Sequence, residues 1–348
     1  MNNNNLKALG CLILIILFGA GWAAQAQQAR DTYRQVKPSV VEVRTLRKAV
    51  APFPQDGPPL EVGIGSGVLI SDDGQVMTAA HVVQSADLIL VAFPDCNPIQ
   101  AHVTHSAVYA DVALLKIDRV PAGAVAAKLG DSDRVDVGDE ILVVGSPYGL
   151  SPTLSIGHIS GRYRPGNKVS GASAIEFLQT DAVINSGNSG GPMFNLSGEV
   201  VGIVTQILTR SGGFEGIGFA ATSKMARQLL LDQKMFWSGV EGMVVEGELA
   251  RALNLPQAAG FLVQRVAQGS PAWRGGIRAG ALRAQIEGEQ LLLGGDIILE
   301  VNGIAVEKGD RSFDQIDAST SRLKAGEKLT SKVLRAGQVI ELCTTITP

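Results

Sequence analysis

The 348-residue sequence predicts a mainly β fold: a barrel or sandwich region of about 200 residues, followed by a smaller α+β domain of about 110 residues. Three observations lead there. Short β-rich runs recur along the chain, each bounded by Gly, Pro, Asp or Ser. Glycine is abundant, at 41 residues, while aromatic residues make up only 5%, which suits many turns between short antiparallel strands. No helix-period segment of ten residues intervenes before about residue 222.

The runs follow in order. V-V-E-V-R-T-L (40–46) alternates as a strand and leads into a Pro- and Gly-rich loop from Pro52 to Pro59. G-S-G-V-L-I-S-D-D-G-Q-V-M-T-A-A-H-V-V (65–83) and L-I-L-V-A-F (88–93) come next, then V-A-L-L-K-I (112–117) and E-I-L-V-V-G (140–145). L-S-I-G-H-I-S (154–160) and V-V-G-I-V-T-Q-I (200–207) complete the first unit, residues 27–221. T-S-K-M-A-R-Q-L-L-L-D-Q-K opens with Thr222 as a candidate N-cap and places Met225, Leu229 and Leu230 at helical spacing, so residues 222–235 read as a linking helix. Residues 236–348 carry further strands (260–266, 296–303, 339–346) and a helix near 312–324.

Composition narrows the function. Apolar residues at 45% and charged residues at 18% describe a globular chain. A net charge of −3 with no basic run excludes the clustered positive footprint that nucleic-acid binding needs. Cys11, Cys96 and Cys343 are the only cysteines, so the fold stands on its core rather than on a disulfide framework. Residues 1–26 read as an export segment: Lys7, an apolar run from Ala8 to Ala24, and an A-x-A site at Ala24–Ala26. Cleavage after Ala26 releases the body of the protein, retention anchors it, and both place it outside the cytoplasm, in the periplasm or cell envelope.

Three segments carry chemistry. S-G-N-S-G-G-P (186–192) surrounds Ser189 with small residues. A serine hydroxyl needs a base within hydrogen-bond reach, and that base needs an acceptor to set its tautomer. The oxyanion that forms needs backbone N–H donors, and glycines beside the serine leave those donors and the substrate room. Of four histidines, His81 in T-A-A-H-V-V closes a strand with small neighbours. His102 and His105 form an H-x-x-H pair that a strand points to opposite faces, so no metal site is expected. His158 in S-I-G-H-I-S reads as a strand residue. Asp111 opens the apolar run V-A-L-L-K-I, where a carboxylate needs a hydrogen-bond partner. The order His81, Asp111, Ser189 is more specific than any one of these segments alone.

These segments resemble the HtrA/Deg serine endoproteases over roughly residues 36–346. The His, Asp and Ser segments match that family, as do L-G-D-S-D-R-V-D-V-G-D-E-I-L-V-V-G-S-P-Y-G-L and G-I-G-F-A-A. The resemblance implies a chymotrypsin-like double antiparallel β-barrel followed by an α+β PDZ domain. It implies Ser189 as nucleophile, His81 as general base and Asp111 as its orienting carboxylate. Gly187, Asn188 and Ser189 make the oxyanion loop, with the N–H groups of Gly187 and Ser189 as donors. Val183, six residues before Ser189, reaches the base of the substrate pocket in this fold. Gly216, Ile217 and Gly218 face the substrate, and the apolar floor predicts cleavage after small or medium aliphatic residues. Trp237, Ser238, Gly239 and Val240 match the loop that holds a peptide carboxylate in PDZ domains. No cofactor is implied.

The expected function is an exported serine endopeptidase of protein quality control. It cleaves unfolded or damaged proteins through an acyl-enzyme, binds C-terminal peptides at the PDZ domain, and forms a homotrimer by resemblance. Two rivals are a membrane-anchored protease with one signalling substrate and an inactive peptide-binding or chaperone scaffold. The sequence departs from the family in places. Ser238 stands where an apolar residue is usual, residues 281–295 are inserted, and N-S-G-N-S replaces the commoner N-P-G-N-S, so Ser186 loosens the oxyanion loop. Arg162–Ala174 matches a loop that senses PDZ occupancy in relatives. A hydrophobic C-terminal peptide is therefore expected to raise activity.

Overall fold

A computed structural model describes residues 27–48, 60–146, 152–163, 175–209, 213–286, 288–309 and 311–346. The predicted export segment, residues 1–26, and residues 164–174 of the predicted sensor loop lie outside them.

Six strands close a first barrel in the order β1-β2-β3-β6-β5-β4, all pairs antiparallel: β1 (Val40–Lys48), β2 (Leu60–Leu69), β3 (Gln75–Thr78), β4 (Leu88–Ala92), β5 (Ile99–Ala107) and β6 (Val112–Ile117). A second closes in the order β10-β11-β12-β9-β8-β7, from β7 (Glu140–Gly145), β8 (Thr153–Tyr163), β9 (Phe177–Thr180), β10 (Pro192–Asn195), β11 (Val200–Ile207) and β12 (Gly218–Thr222). Successive side chains on a strand face opposite sides, and both sides are buried where the barrels meet. On β6, Ala113, Leu115 and Ile117 fill the first barrel. Val112 and Leu114 instead pack with Leu142, Phe194 and Ile203 in the layer between barrels. That double burial explains why V-A-L-L-K-I reads as a continuous apolar run. Each such Val, Leu or Phe contributes roughly 1.5–3 kcal/mol. The segments carrying His81, Asp111 and Ser189 adjoin β3, β6 and β10 beside this layer.

The helix that follows β12 runs in two parts, Ser223–Arg227 and a wider turn Gln228–Asp232, and Thr222 caps it by accepting the Met225 N–H at 3.3 Å. A helix over residues 27–36 was absent from the sequence expectation. Its buried positions, Ala29, Thr32 and Val36, have helical spacing but are spread among charged and Gln residues. Thr32 and Tyr33 tie it to the second barrel through Leu196 O (2.8 Å) and Pro152 O (2.6 Å). The sequence runs also leave out β9, β10 and β12 and touch β5 only at its His102–His105 pair. β5 alternates buried and exposed, but its outward residues are His, Thr and Gln, while the other three are four or five residues long.

The C-terminal unit is an antiparallel sheet ordered β13-β14-β17-β19-β20, with β18 (Ile304–Ala305) paired to β17: β13 (Val240–Glu246), β14 (Ala259–Val266), β17 (Ile297–Val301), β19 (Lys328–Arg335) and β20 (Gln338–Thr345). A helix, Arg311–Thr320, joins the last two strands to the rest, and Val245, Leu262, Ile297, Leu299 and Leu334 form the core. The residues inserted at 281–295 fold as a separate hairpin of β15 (Leu282–Ile286) and β16 (Glu289–Leu293). Gln264 on β14 anchors it by bonding both the N–H and the C=O of Leu292 (2.6 and 3.2 Å). This unit rests on the first barrel through Trp237 Nε1 to Gln84 O (3.2 Å), Gln84 Nε2 to Val240 O (3.0 Å) and the Gln268 N–H to Asp87 Oδ1 (2.8 Å).

Candidate active site

His81 lies on a one-turn helix, Ala80–Val83, that leaves β3, and Asp111 ends the turn Val108–Ala110 before β6. Asp111 adopts a left-handed backbone (φ 53°), which costs a non-glycine residue on the order of 1 kcal/mol. The conformation aims the carboxylate at His81. Oδ1 accepts the His81 backbone N–H at 2.9 Å, and Nδ1 of the ring lies 2.8 Å from Oδ2 and 3.0 Å from Oδ1. An acid-only acceptor at Nδ1 requires the proton there and leaves Nε2 as a base. Burial pushes the imidazole pKa down, but the hydrogen bond and charge of Asp111 together outweigh it, so the pKa is raised from its ordinary value.

Ser189 stands on the loop between β9 and β10. Residues 185–188 form a turn closed by the Asn188 N–H to Asn185 O at 3.0 Å. Gly187 sits third in it with φ +100°, the conformation of a type II turn, which favours glycine. Among the described residues, the N–H groups of Gly187 and Ser189 make no hydrogen bond, whereas those of Gly190 and Gly191 are paired with Val204 O and Asn188 O. Two free donors thus flank the serine hydroxyl. Asn188 is a different case from its neighbours: its N–H is committed to the turn, and its side chain packs into the space a Cβ on Gly145 would fill. The buried Asn188 Oδ1 has no hydrogen-bond partner.

His81, Asp111 and Ser189 line one cavity of about 1260 Å³ between the barrels and the C-terminal unit. Ser189 Oγ makes no hydrogen bond to His81 in this conformation. Serine–base bonds commonly tighten only with substrate bound.

Val183, expected at the base of the substrate pocket, and its neighbour Ile184 are placed differently. Val183 is 48% exposed and does not line this cavity. Its neighbour Ile184 is 3% exposed and does line it. A Cβ on Gly218 would collide with Ile184 Cδ1, so the glycine lets Ile184 pack against the backbone of β12, with Phe214 alongside. Gly216 has φ +86° and open space around it, and Ile217 O holds the Leu208 N–H at 3.0 Å.

The loop Trp237–Val240 meets the helix of His81 through Gln84. Gly239 has φ +78°, and Ser238 Oγ accepts the Val240 N–H at 3.3 Å. His102 is exposed on β5, and His105 is half-buried against Phe236 with Nδ1 unpartnered. His158 on β8 is exposed and gives its backbone N–H to Asp181 (2.6 Å). Among the described residues no group of three or more His, Cys, Asp or Glu is placed to hold a metal ion. No described helix is long and apolar enough to cross a membrane.

The chain is similar to several known proteins. Residues 65–203 match the trypsin-like peptidase domain family. A probable periplasmic serine endoprotease, DegP-like, of Marinomonas sp. (strain MWYL1) is 38% identical over 330 residues, which cover 91% of this chain and 65% of that protein. A protein of the same description from Pseudomonas fulva (strain 12-X) is 40% identical over 283 residues, covering 77% and 58%. The chain thus spans under two thirds of these relatives' length. Among solved structures, the HtrA-type protease AlgW with a decapeptide superposes with TM-score 0.52 at 32% identity, over 92% of this chain and 98% of that one. AlgW with a tripeptide gives 0.53 at 32% identity, over 92% and 96%. The chain belongs to the HtrA/Deg family of serine proteases.

Proposed function

We propose that the protein is an exported serine endopeptidase that cleaves unfolded or damaged proteins and is regulated by its C-terminal unit, a PDZ domain. One observation carries the catalytic reading: Asp111 grips both the backbone and the ring of His81, in the cavity where Ser189 stands between two unpaired N–H groups. His81 Nε2 removes the Ser189 Oγ proton as Oγ bonds to the scissile carbonyl carbon. The imidazolium is held by the Asp111 charge, and the oxyanion lies on the N–H groups of Gly187 and Ser189. Breakdown expels the amine, which takes the proton from His81. Water, deprotonated by the same base, then hydrolyses the acyl-enzyme.

Ile184 under Gly218 supports a shallow apolar pocket and cleavage after small aliphatic residues. In the C-terminal unit, β13 is an edge strand, the arrangement in which an added peptide strand pairs and places its carboxylate at the preceding loop, residues 237–240. The names of the relatives support a periplasmic setting, and the family supports a homotrimer. Digestion of unfolded casein by wild type and Ser189→Ala, with cleavage sites mapped and a hydrophobic C-terminal peptide added in a second arm, tests the reading. Equal digestion by both proteins overturns the catalytic assignment. A peptide that binds without changing kcat/KM overturns the regulatory one.

A further inference from the structure

Ser66, in G-S-G on β2, is completely buried and belongs to none of the groups assigned above. It makes four hydrogen bonds around the nucleophile. Its Oγ donates to Gly187 O at 2.6 Å and accepts the Ser146 N–H at 2.8 Å. Its backbone N–H donates to Ser189 O at 2.8 Å, and its C=O accepts from Thr78 Oγ1 at 2.7 Å. The residue therefore holds the carbonyls of both residues whose N–H groups are free, from a strand of the opposite barrel. A Cβ on Gly190 would collide with Ser66 O and Thr78 Oγ1, so the loop is seated tightly against this frame.

We propose that Ser66 is a positioning residue for the oxyanion hole, its hydroxyl acting as a spacer that sets where the Gly187 peptide lies. The hydroxyl stands between a donor, Ser146 N–H, and an acceptor, Gly187 C=O. Without it, two buried groups of complementary sense face each other across a hydroxyl-sized gap. Closing that gap satisfies both but draws Gly187 toward β7 and pulls its N–H off the point shared with the Ser189 N–H. The loop has little resistance of its own. Ser186 occupies the second turn position, where proline would preset the backbone for a type II turn. The hole is then held from outside, by β2, rather than by the loop's own sequence. This rests on Ser189 being the nucleophile.

The test compares wild type, Ser66→Ala, Ser66→Cys, Ser66→Ala/Ser186→Pro and Ser189→Ala on a fluorogenic casein. A peptide ending in the boronic analogue of valine serves as an oxyanion-forming inhibitor. Removing one oxyanion donor outright costs roughly 10²–10³ in kcat, so displacing one is expected to lower kcat about 10- to 100-fold, with KM within about twofold. Boronate affinity is expected to weaken by the same factor. Ser66→Cys, nearly isosteric with a weak donor, shows an intermediate loss and serves if Ser66→Ala does not fold. Ser186→Pro restores part of the loss, which a merely structural defect at residue 66 would not allow. Wild-type kcat/KM in a folded Ser66→Ala or Ser66→Cys overturns the inference, as does an unchanged boronate affinity. Should Ser189→Ala cleave as well as wild type, the nucleophile reading falls instead. An inactive Ser189→Ala beside a fully active Ser66 variant sinks this inference alone.

Discussion

One carboxylate, Asp111, holds His81 twice: Oδ1 takes the backbone N–H at 2.9 Å, and Oδ2 lies 2.8 Å from Nδ1 of the ring. The first bond positions the residue, and the second selects the tautomer. Asp111→Asn keeps the shape but offers the ring an amide that stabilises the imidazolium poorly. Its kcat is expected to fall about 10³–10⁴-fold, measured on casein at saturating substrate.

The same contact has a pH signature. The imidazole pKa is raised, the Asp111 bond and charge prevailing over burial. A general base works only when neutral, so kcat/KM rises with pH through a midpoint above the ordinary histidine value of about 6.5. In Asp111→Asn the raising influence is gone while burial stays, and the midpoint moves down. A pH–rate profile with the same midpoint in both proteins contradicts the assignment.

Ile184→Ala is expected to deepen the proposed pocket beneath Gly218. Preference in a peptide library shifts toward larger aliphatic residues by about 10-fold or more, the range that one or two methylenes command in an apolar pocket. Val183→Ala, at the exposed neighbour, leaves the profile unchanged.

Ser238 Oγ occupies the Val240 N–H, a donor that a peptide carboxylate needs in the proposed PDZ loop. Ser238→Leu frees it and is expected to tighten binding of a hydrophobic C-terminal peptide about fivefold, as one hydrogen bond is worth roughly 1 kcal/mol. Calorimetric titration reads the change.

Asp296 is fully buried and held by Arg335 at 2.7 Å from both oxygens, with the Arg278 N–H at 2.8 Å. Arg335→Met strands that carboxylate and is expected to destabilise the C-terminal unit by about 3–5 kcal/mol, seen in urea unfolding. Asp317 behaves oppositely. Burial, then the nearby Asp314, pushes its pKa up to about 6. The folded state therefore binds its proton more tightly than the unfolded chain. That stability is complete below about pH 4 and is lost as pH rises through about 6. Asp317→Asn is expected to raise the melting temperature at pH 7.5 but not at pH 4.

The segments carrying His81, Asp111 and Ser189 stand out in the sequence because each pairs an unusual residue with small neighbours: T-A-A-H, Y-A-D and G-N-S-G-G. The strands that alternate cleanly were legible for the same local reason. Helix 27–36 was missed because its apolar positions are few, and it gains its stability from the barrel it covers. That Ile184 is buried while Val183 is exposed follows from the packing around them, which a residue count does not reach.

The residue types of the site, their order along the chain and the two-unit β architecture are properties of the sequence alone, since periodicity and turn residues act over a few positions. Which N–H groups remain free, which carbonyl the Ser66 hydroxyl holds and which of Val183 and Ile184 is buried were decided by the packing of two barrels. Those contacts join β2 to a loop more than a hundred residues away, and no local propensity reaches that far.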